Sequence, residues 1–452
     1  MNISPDIFKA YDIRGKYPSE LDAQGAERIG SAAALYFKRN SGKKHPKIIV
    51  CQDLRVSSSV LAEALMKGLI GQGVHVLDGG LGTTPYFYFV LHKMKPDGGV
   101  MVTASHNPAE YNGFKFQDKS LRTVSMGSGL EKIQKYADHE KFAFKETIGE
   151  ISKLENFFEE YLTFVSRDIS IKRINVIVDA AGGAETLFIA RLLARFNSIQ
   201  YKPLFFEPDG SFVKHSPNPI TPEGQQFVKK ELQKGGYCFG VVFDGDSDRI
   251  VFLDDKGNPV RSDFIFAILA ERELRRHKRA VFVGTLNISK GVREYIQEMG
   301  GVVKLSPQGY PYLQKIMRRL NGITGVEMSG HYHFKKTFFR DSTLLPFLQI
   351  AEYLSESKEP LSHIVKRLQR YASSSEIAFP VSNKKKVIER VKKIYIKKKG
   401  KVSFLDGITV EFQDWWFNLR AANTEPVVRL VIEADTEVLL KKKREEIEKL
   451  LR

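Results

Sequence analysis

Apolar and polar positions along this chain fall into short buried runs separated by longer amphipathic stretches. Positions 23–38 have helical spacing, 47–50 read as a strand, 57–70 as an amphipathic helix opened by Ser-type caps, and 74–77 as the next strand. Gly99-Val100-Met101-Val102 is a further apolar run, read as a later, buried strand of the same layer. Strands alternating with helices in this way predict a parallel, doubly wound sheet. A charged helix expected at 154–164 marks a boundary. Beyond it, 174–179 reads as a strand, Ala180-Ala181-Gly182-Gly183 as a turn, about 184–195 as a helix, and 240–243 as a strand. A third α/β unit contains the runs 280–283 and 301–305. From about Ala372 the pattern shifts to Lys-rich helices and short strands such as 408–412. The fold class expected is α/β, with three similar doubly wound α/β domains and a smaller C-terminal α+β domain. Its boundaries are 1–148, 149–252, 253–371 and 372–452.

Length and composition narrow the picture. At 452 residues the chain is too long for one core. A hydrophobic fraction of 42% and an aromatic fraction of 11% fit a soluble enzyme. No apolar run approaches the roughly 18 residues that cross a bilayer. Met1-Asn2-Ile3-Ser4-Pro5-Asp6 lacks a basic region and an apolar core, so no signal peptide, no membrane partner and a cytoplasmic location are expected. Cys51 and Cys238 both lie in strand-like runs and are expected to be buried free thiols. The net charge of +17 is compatible with nucleic acid or anionic small molecules. Much of it falls in runs such as 384–386, 397–399 and 441–443, with no nucleic-acid-binding motif beside them, so a nucleic-acid partner is not expected.

Four stretches carry candidate chemistry. Thr103-Ala104-Ser105-His106-Asn107-Pro108 follows a buried strand, and Asn107-Pro108 is a turn signal. Ser105 therefore sits at the carboxyl end of a strand, where open α/β sheets bind ligands. His106 is not expected to serve as its base, because adjacent side chains in extended backbone point apart. Lys115, on the following segment, can return to the same place. The second stretch is Asp244-Gly245-Asp246-Ser247-Asp248-Arg249. In extended backbone its three carboxylates share a face, repel one another, and suit Mg²⁺ as hard oxygen ligands. A calcium EF-hand is excluded because Arg249 stands where that loop needs Gly. In the third, Glu327, Ser329 and His331 alternate and offer one face able to bond sugar hydroxyls. In the fourth, Arg420 and Arg429 bracket Asn423 and Thr424, a set that can cradle a phosphate. Near the start, Tyr11 and Arg14 flank a turn, and Arg14 has a fork suited either to phosphate or to a surface ion pair.

These pieces in this order resemble the α-D-phosphohexomutase superfamily, most of all its bacterial phosphomannomutase/phosphoglucomutase group, over nearly the whole chain. The resemblance implies four domains around a central cleft, Mg²⁺, and interconversion of hexose 1- and 6-phosphates through a hexose 1,6-bisphosphate, which also serves as activator. It implies that Ser105 is phosphorylated and that this phosphate and Asp244, Asp246 and Asp248 bind the metal. Glu327 and Ser329 would read the sugar hydroxyls beside His331, and Arg420, Asn423, Thr424 and Arg429 would hold the phosphate that is not reacting. Tyr11, Arg14, His106, Lys115 and Arg249 match positions lining the family's cleft. Two departures stand out: Ala422 occupies a position where the family usually has Ser, and the loop Ser306-Pro307-Gln308-Gly309-Tyr310 matches only in part. The expected partner is a small sugar phosphate. A phosphoglucosamine mutase is the alternative enzyme, and an inactive phosphosugar-binding protein the alternative of another class.

Overall fold

Two helices show how closely the first layer is built. Asp22 caps the helix Ala23–Ser41 by accepting from the Gly25 amide at 2.7 Å, and Gly42 ends it in the left-handed region. This helix meets Ser58–Gly71 backbone to backbone. A Cβ on Gly30 would stand 2.2 Å from the Leu65 carbonyl oxygen, and one on Gly68 2.0 Å from that of Glu27, so only glycine fits. Both helices cover a sheet whose strands run in the order Ile13–Lys16, Tyr111–Asp118, Gly98–Val102, Lys47–Gln52, His75–Leu81, Ile151–Lys153. The computed structural model describes residues 3–142, 149–422 and 426–451.

The sheet is mixed rather than purely parallel. Lys47–Gln52 pairs in parallel with both His75–Leu81 and Gly98–Val102, whereas Tyr111–Asp118 returns antiparallel to Gly98–Val102. The link 103–110 is too short for a crossover helix, so the chain must come straight back. The second sheet repeats this device. Ile174–Asp179 pairs in parallel with Ile199–Leu204 and Phe239–Phe243, and Ile250–Asp254 returns antiparallel after the short link 244–249. Two of the candidate loops are thus the turns between a buried parallel strand and its antiparallel return.

Two compact units emerge from the packing. One comprises 1–259, 329–332 and 336–360, the other 260–328, 333–335 and 361–452. In the second unit, Val281–Thr285 is flanked in parallel by Val302–Ser306 and Thr324–Val326. Its C-terminal part is a five-stranded antiparallel sheet in the order Ala372–Pro380, Val427–Ala434, Trp415–Ala421, Ile408–Glu411, Lys401–Ser403. Helices Lys384–Tyr395 and Glu437–Leu451 close its core around Tyr395, Phe417, Ile432 and Ile447, and Trp415 belongs to that core.

Local departures from the sequence expectations have simple causes. The stretch 184–195 breaks into a 3-10 turn, Ala184–Leu187, and a short helix, Ile189–Leu193. The charged helix begins later, at Phe158. Cys51 is buried, but Cys238 is exposed because it precedes its strand Phe239–Phe243 instead of lying within it. No helix among the described residues is long and apolar enough to cross a membrane.

Candidate active site

In the first unit the two short links meet. Ser105 leaves its strand with φ at 52° and Ser247 stands at 59°, the left-handed region that non-glycine residues seldom occupy. The Ser105 amide is satisfied by Thr103 Oγ1 at 2.9 Å. Gly245 permits the approach of the acidic link, since a Cβ there would lie 2.6 Å from the Ser105 carbonyl oxygen. Ser105 Oγ donates to Asp244 Oδ2 at 2.8 Å and to Asp248 Oδ1 at 3.3 Å, and His106 Nδ1 lies 3.3 Å from the same oxygen. The expectation that His106 points away from Ser105 is therefore wrong, because the backbone here is left-handed, not extended. The three aspartates do converge, but around a turn and not along one face of a strand. Their ligand atoms lie within 4.8 Å of one another.

The electrostatics follow from burial. Asp246 Oδ2 accepts from Lys115 Nζ at 2.6 Å, Thr84 Oγ1 at 2.6 Å and Thr103 Oγ1 at 3.1 Å. Its other oxygen, Oδ1, is buried with no hydrogen-bond partner among the described residues. Lys115 also reaches Asp248 Oδ2 at 2.5 Å. Burial opposes the Lys115 charge, yet Asp246 and Asp248 hold its pKa well above the usual value, so it stays protonated. Burial likewise opposes the Asp248 charge, but Lys115, His331 and Arg249 keep that carboxyl low; burial and the two neighbouring aspartates push Asp244 well up. Burial, with Arg249 and Arg14 nearby, lowers His106 well below its ordinary value and leaves it neutral. A cluster of oxygen ligands with one buried oxygen unspoken for is the donor set a hard divalent cation requires.

The remaining candidates of this unit are Arg14, Tyr11, Arg249, His331 and Ser329. Arg14 forks between Asp12 Oδ2 at 2.9 Å and Asn107 Oδ1 at 2.6 Å. Tyr11 is half-buried in the bend before Ile13–Lys16. Arg249 donates from Nε to His331 Nε2 at 2.9 Å, and His331 Nδ1 lies 3.3 Å from Asp341 Oδ2. Ser329 is half-buried in the turn that precedes His331.

The second unit holds the other candidates. The expected alternation from Glu327 to His331 is absent: the chain turns after Thr324–Val326, with Gly330 at φ 92°, and Glu327 Oε1 faces the buried His333 Nε2 at 3.3 Å. Ser306 ends its strand and donates to the Pro307 carbonyl at 2.9 Å, and Gly309, at φ 113°, opens the helix Tyr310–Leu320. Arg420 and Arg429 lie on neighbouring strands and converge on one carboxylate, Glu376, at 2.9 Å and 2.6 Å. Burial opposes the charge of Glu376, but the two guanidiniums hold its pKa below the ordinary range. Ala422 is buried, and Lys384 Nζ donates to its carbonyl at 2.7 Å. Asn423 and Thr424 lie outside the described residues.

Sequence reasoning missed several partners: Thr84, Asp341, Glu376, and above all Arg55 and Glu185. Arg55 sends its guanidinium to the carbonyls of Ser105, Asn107, Pro108 and Tyr111 at 2.7, 2.7, 2.8 and 3.1 Å. Glu185, pushed up to about 8 by burial, accepts from Ser247 Oγ. The Asp53-x-Arg55 pair at a strand end was the available signal for Arg55. Nothing in the sequence names the acceptors, because all four come from a loop some fifty residues later.

Comparison with known proteins agrees along the whole chain. Family models match in succession: phosphoglucomutase/phosphomannomutase, alpha/beta/alpha domain I, over residues 5–143; domain II over 155–257; domain III over 261–371; and the C-terminal domain over 376–450. A relative from Xanthomonas campestris, named phosphohexose mutases, is 35% identical over 450 residues, covering 98% of this chain and 99% of its own. A phosphomannomutase of Methanocaldococcus jannaschii is 35% identical over 454 residues, covering 98% of this chain and 97% of its own. The crystal structure of a phosphoglucomutase/phosphomannomutase family protein from Burkholderia thailandensis has a TM-score of 0.89 at 28% identity, covering 99% of this chain and 97% of that one.

Proposed function

The chain belongs to the phosphoglucomutase/phosphomannomutase family, and on that premise we propose that it interconverts hexose 1-phosphate and hexose 6-phosphate, of mannose, glucose or both, by way of phosphorylated Ser105. The observation that carries this reading is a buried Ser105 hydroxyl, 2.8 and 3.3 Å from two carboxylates of an acidic triad, beside a protonated Lys115. Relatives named phosphomannomutase favour mannose among the substrates.

In the first half-reaction the free sugar hydroxyl attacks the phosphoryl group on Ser105. A P–O bond to the sugar forms, the P–Oγ bond breaks, and the proton lost by the sugar hydroxyl is balanced by the one Oγ gains. The product is a hexose 1,6-bisphosphate. It turns over, and Ser105 Oγ, which already donates to Asp244, attacks the other phosphate. A P–Oγ bond forms, the P–O bond to that sugar oxygen breaks, and the proton Oγ loses is balanced by the one the sugar oxygen gains. This leaves the isomeric hexose monophosphate and phosphorylated Ser105. Phosphoryl transfer depends mainly on alignment and on offsetting charge. Lys115 and Arg249 supply fixed positive charge, and Arg14 is placed by Asp12 and Asn107. Asp244, Asp246 and Asp248, with a phosphate oxygen on Ser105, would hold Mg²⁺, which when bound neutralises developing phosphoryl charge. Glu327 and Ser329 are assigned to sugar hydroxyls beside His331, and Arg420, Asn423, Thr424 and Arg429 to the phosphate that is not reacting. Tyr11, His106, Ser306 and Gly309 are assigned to the substrate surface. Domain boundaries at 148, 252 and 371 belong to the same proposal, as do the bisphosphate activator and a cytoplasmic location.

The test is initial rates on mannose, glucose and glucosamine 1-phosphates with Mg²⁺ and a catalytic amount of hexose 1,6-bisphosphate. Turnover of mannose or glucose 1-phosphate well above glucosamine 1-phosphate is expected. Preference for the amino sugar would assign the protein to the alternative mutase, and no turnover of any of the three would refute the reading.

A further inference from the structure

We propose that Arg55 is a positioning residue for phosphoryl transfer: it fixes the backbone that aims Ser105 at the acidic triad. The proposal rests on the mutase reading above and adds to it a residue that touches neither sugar nor metal.

The Arg55 side chain is fully buried. A guanidinium has five N–H donors in a rigid plane. Here its two terminal nitrogens serve four carbonyls of one loop, those of Ser105, Asn107, Pro108 and Tyr111. Nε faces Asp53 Oδ2 at 3.3 Å. Asp53 is itself held by the Ser58 hydroxyl at 2.5 Å and the Arg55 amide at 3.0 Å. The ring of Phe212 covers the guanidinium, 5.1 Å from centroid to Cζ. The cation is therefore flanked by Asp53 at its side and by Phe212 on one face.

Four carbonyls turned inward onto one cation define the path of 105–111. On that path Ser105 takes φ 52°, a conformation that serine adopts only under constraint. Remove the fork and four carbonyls each lose a donor, that of Ser105 in a fully buried bond, so the loop gains by turning them elsewhere. Ser105 then relaxes toward ordinary backbone, and Oγ leaves its 2.8 Å contact with Asp244. Lysine keeps the charge beside Asp53, but a single ammonium cannot span four carbonyls as the planar fork does. A displacement of about 1 Å at a reacting atom costs of order 10²-fold in rate.

The experiment compares the full-length wild type with Arg55→Lys and with the double variant Asp53→Asn/Arg55→Gln, which removes both buried charges together. kcat and KM for glucose 1-phosphate are measured per folded molecule, and amide hydrogen exchange is followed over 103–111 without substrate. Expected are a kcat lower by roughly 10- to 100-fold, a KM within about twofold of wild type, and faster exchange concentrated in that loop. A purely structural arginine would lower only the folded fraction. Wild-type kcat per folded molecule in both variants, a loss confined to KM, or unchanged exchange in 103–111 would overturn the proposal. An inactive wild type would count against the mutase reading instead, and the exchange data would still decide whether Arg55 anchors the loop.

Discussion

The regions around Ser105 and around Arg420 and Arg429, both proposed to handle phosphate, are built on different plans. Around Ser105, three buried aspartates gather beside the buried Lys115 ammonium, and one oxygen of Asp246 has no partner among the described residues. Around Arg420 and Arg429, two guanidiniums converge on one carboxylate, Glu376, and Arg429 is about a third exposed. The first region sits on two strand-end turns in which Ser105 and Ser247 take left-handed backbone. The second sits on a regular antiparallel ladder, and the Glu376 carboxylate between its arginines is partly open to solvent. A group that must be attacked in line needs rigid placement, whereas a group that is only gripped can be exchanged.

The contrast can be broken most severely at the nucleophile. Ser105→Ala should lower kcat by about 10⁴-fold, in keeping with the removal of a nucleophile from a working cluster. Steady-state rates on glucose 1-phosphate measure it, and a variant within tenfold of wild type would mean that Ser105 is not the carrier. Next comes the acidic triad. Asp246→Asn, or exhaustive chelation, should cost roughly 10²-fold or more, because a bound cation contributes several kcal/mol to phosphoryl transfer. Mg²⁺ should reverse the chelation but not the substitution.

The arginine region should respond in the other direction. Glu376→Gln removes the carboxylate with which a substrate phosphate must compete. Partly exposed ion pairs contribute up to about 1 kcal/mol, so KM should fall by about threefold to fivefold with kcat nearly unchanged. A raised KM would show that Glu376 aims the two arginines and does not compete with the substrate.

Much of this was legible in the sequence because it depends on near neighbours. The strand-then-turn pattern at 99–108 and 240–249 located both links, and the spacing of Asp244, Asp246 and Asp248 located the cluster. The backbone of those links was not legible. Extended-chain periodicity turned His106 away from Ser105 and put the aspartates on one strand face, whereas left-handed turns at Ser105 and Ser247 do the gathering. Partners from remote segments were equally hidden. Arg55 bonds a loop fifty residues on, Glu185 bonds Ser247, and Glu376 joins two strands beyond it.

Glu185, which bonds the acidic link through Ser247, bears on stability and not on rate. Burial raises its pKa to about 8, so the folded protein keeps a proton there that the unfolded chain releases near the ordinary glutamate value of 4.5. Between those values the folded state binds more protons, and stability from this group falls as pH rises toward 8. Glu185→Gln removes the titration. Relative to wild type it should be close to neutral in thermal stability at pH 5 and more stable at pH 8.5, by about 1–3 kcal/mol. Equal differences at both pH values would show that Glu185 does not titrate in this window.

The central claim is that Ser105 carries the phosphoryl group between the two sugar oxygens. Labelled hexose 1,6-bisphosphate, mixed with dephosphorylated enzyme and Mg²⁺, should leave stoichiometric label on the protein. Peptide mass spectrometry should place it on Ser105, and unlabelled hexose monophosphate should discharge it at a rate no slower than kcat. Label on another residue, or turnover with Ser105 unlabelled throughout, would contradict the account.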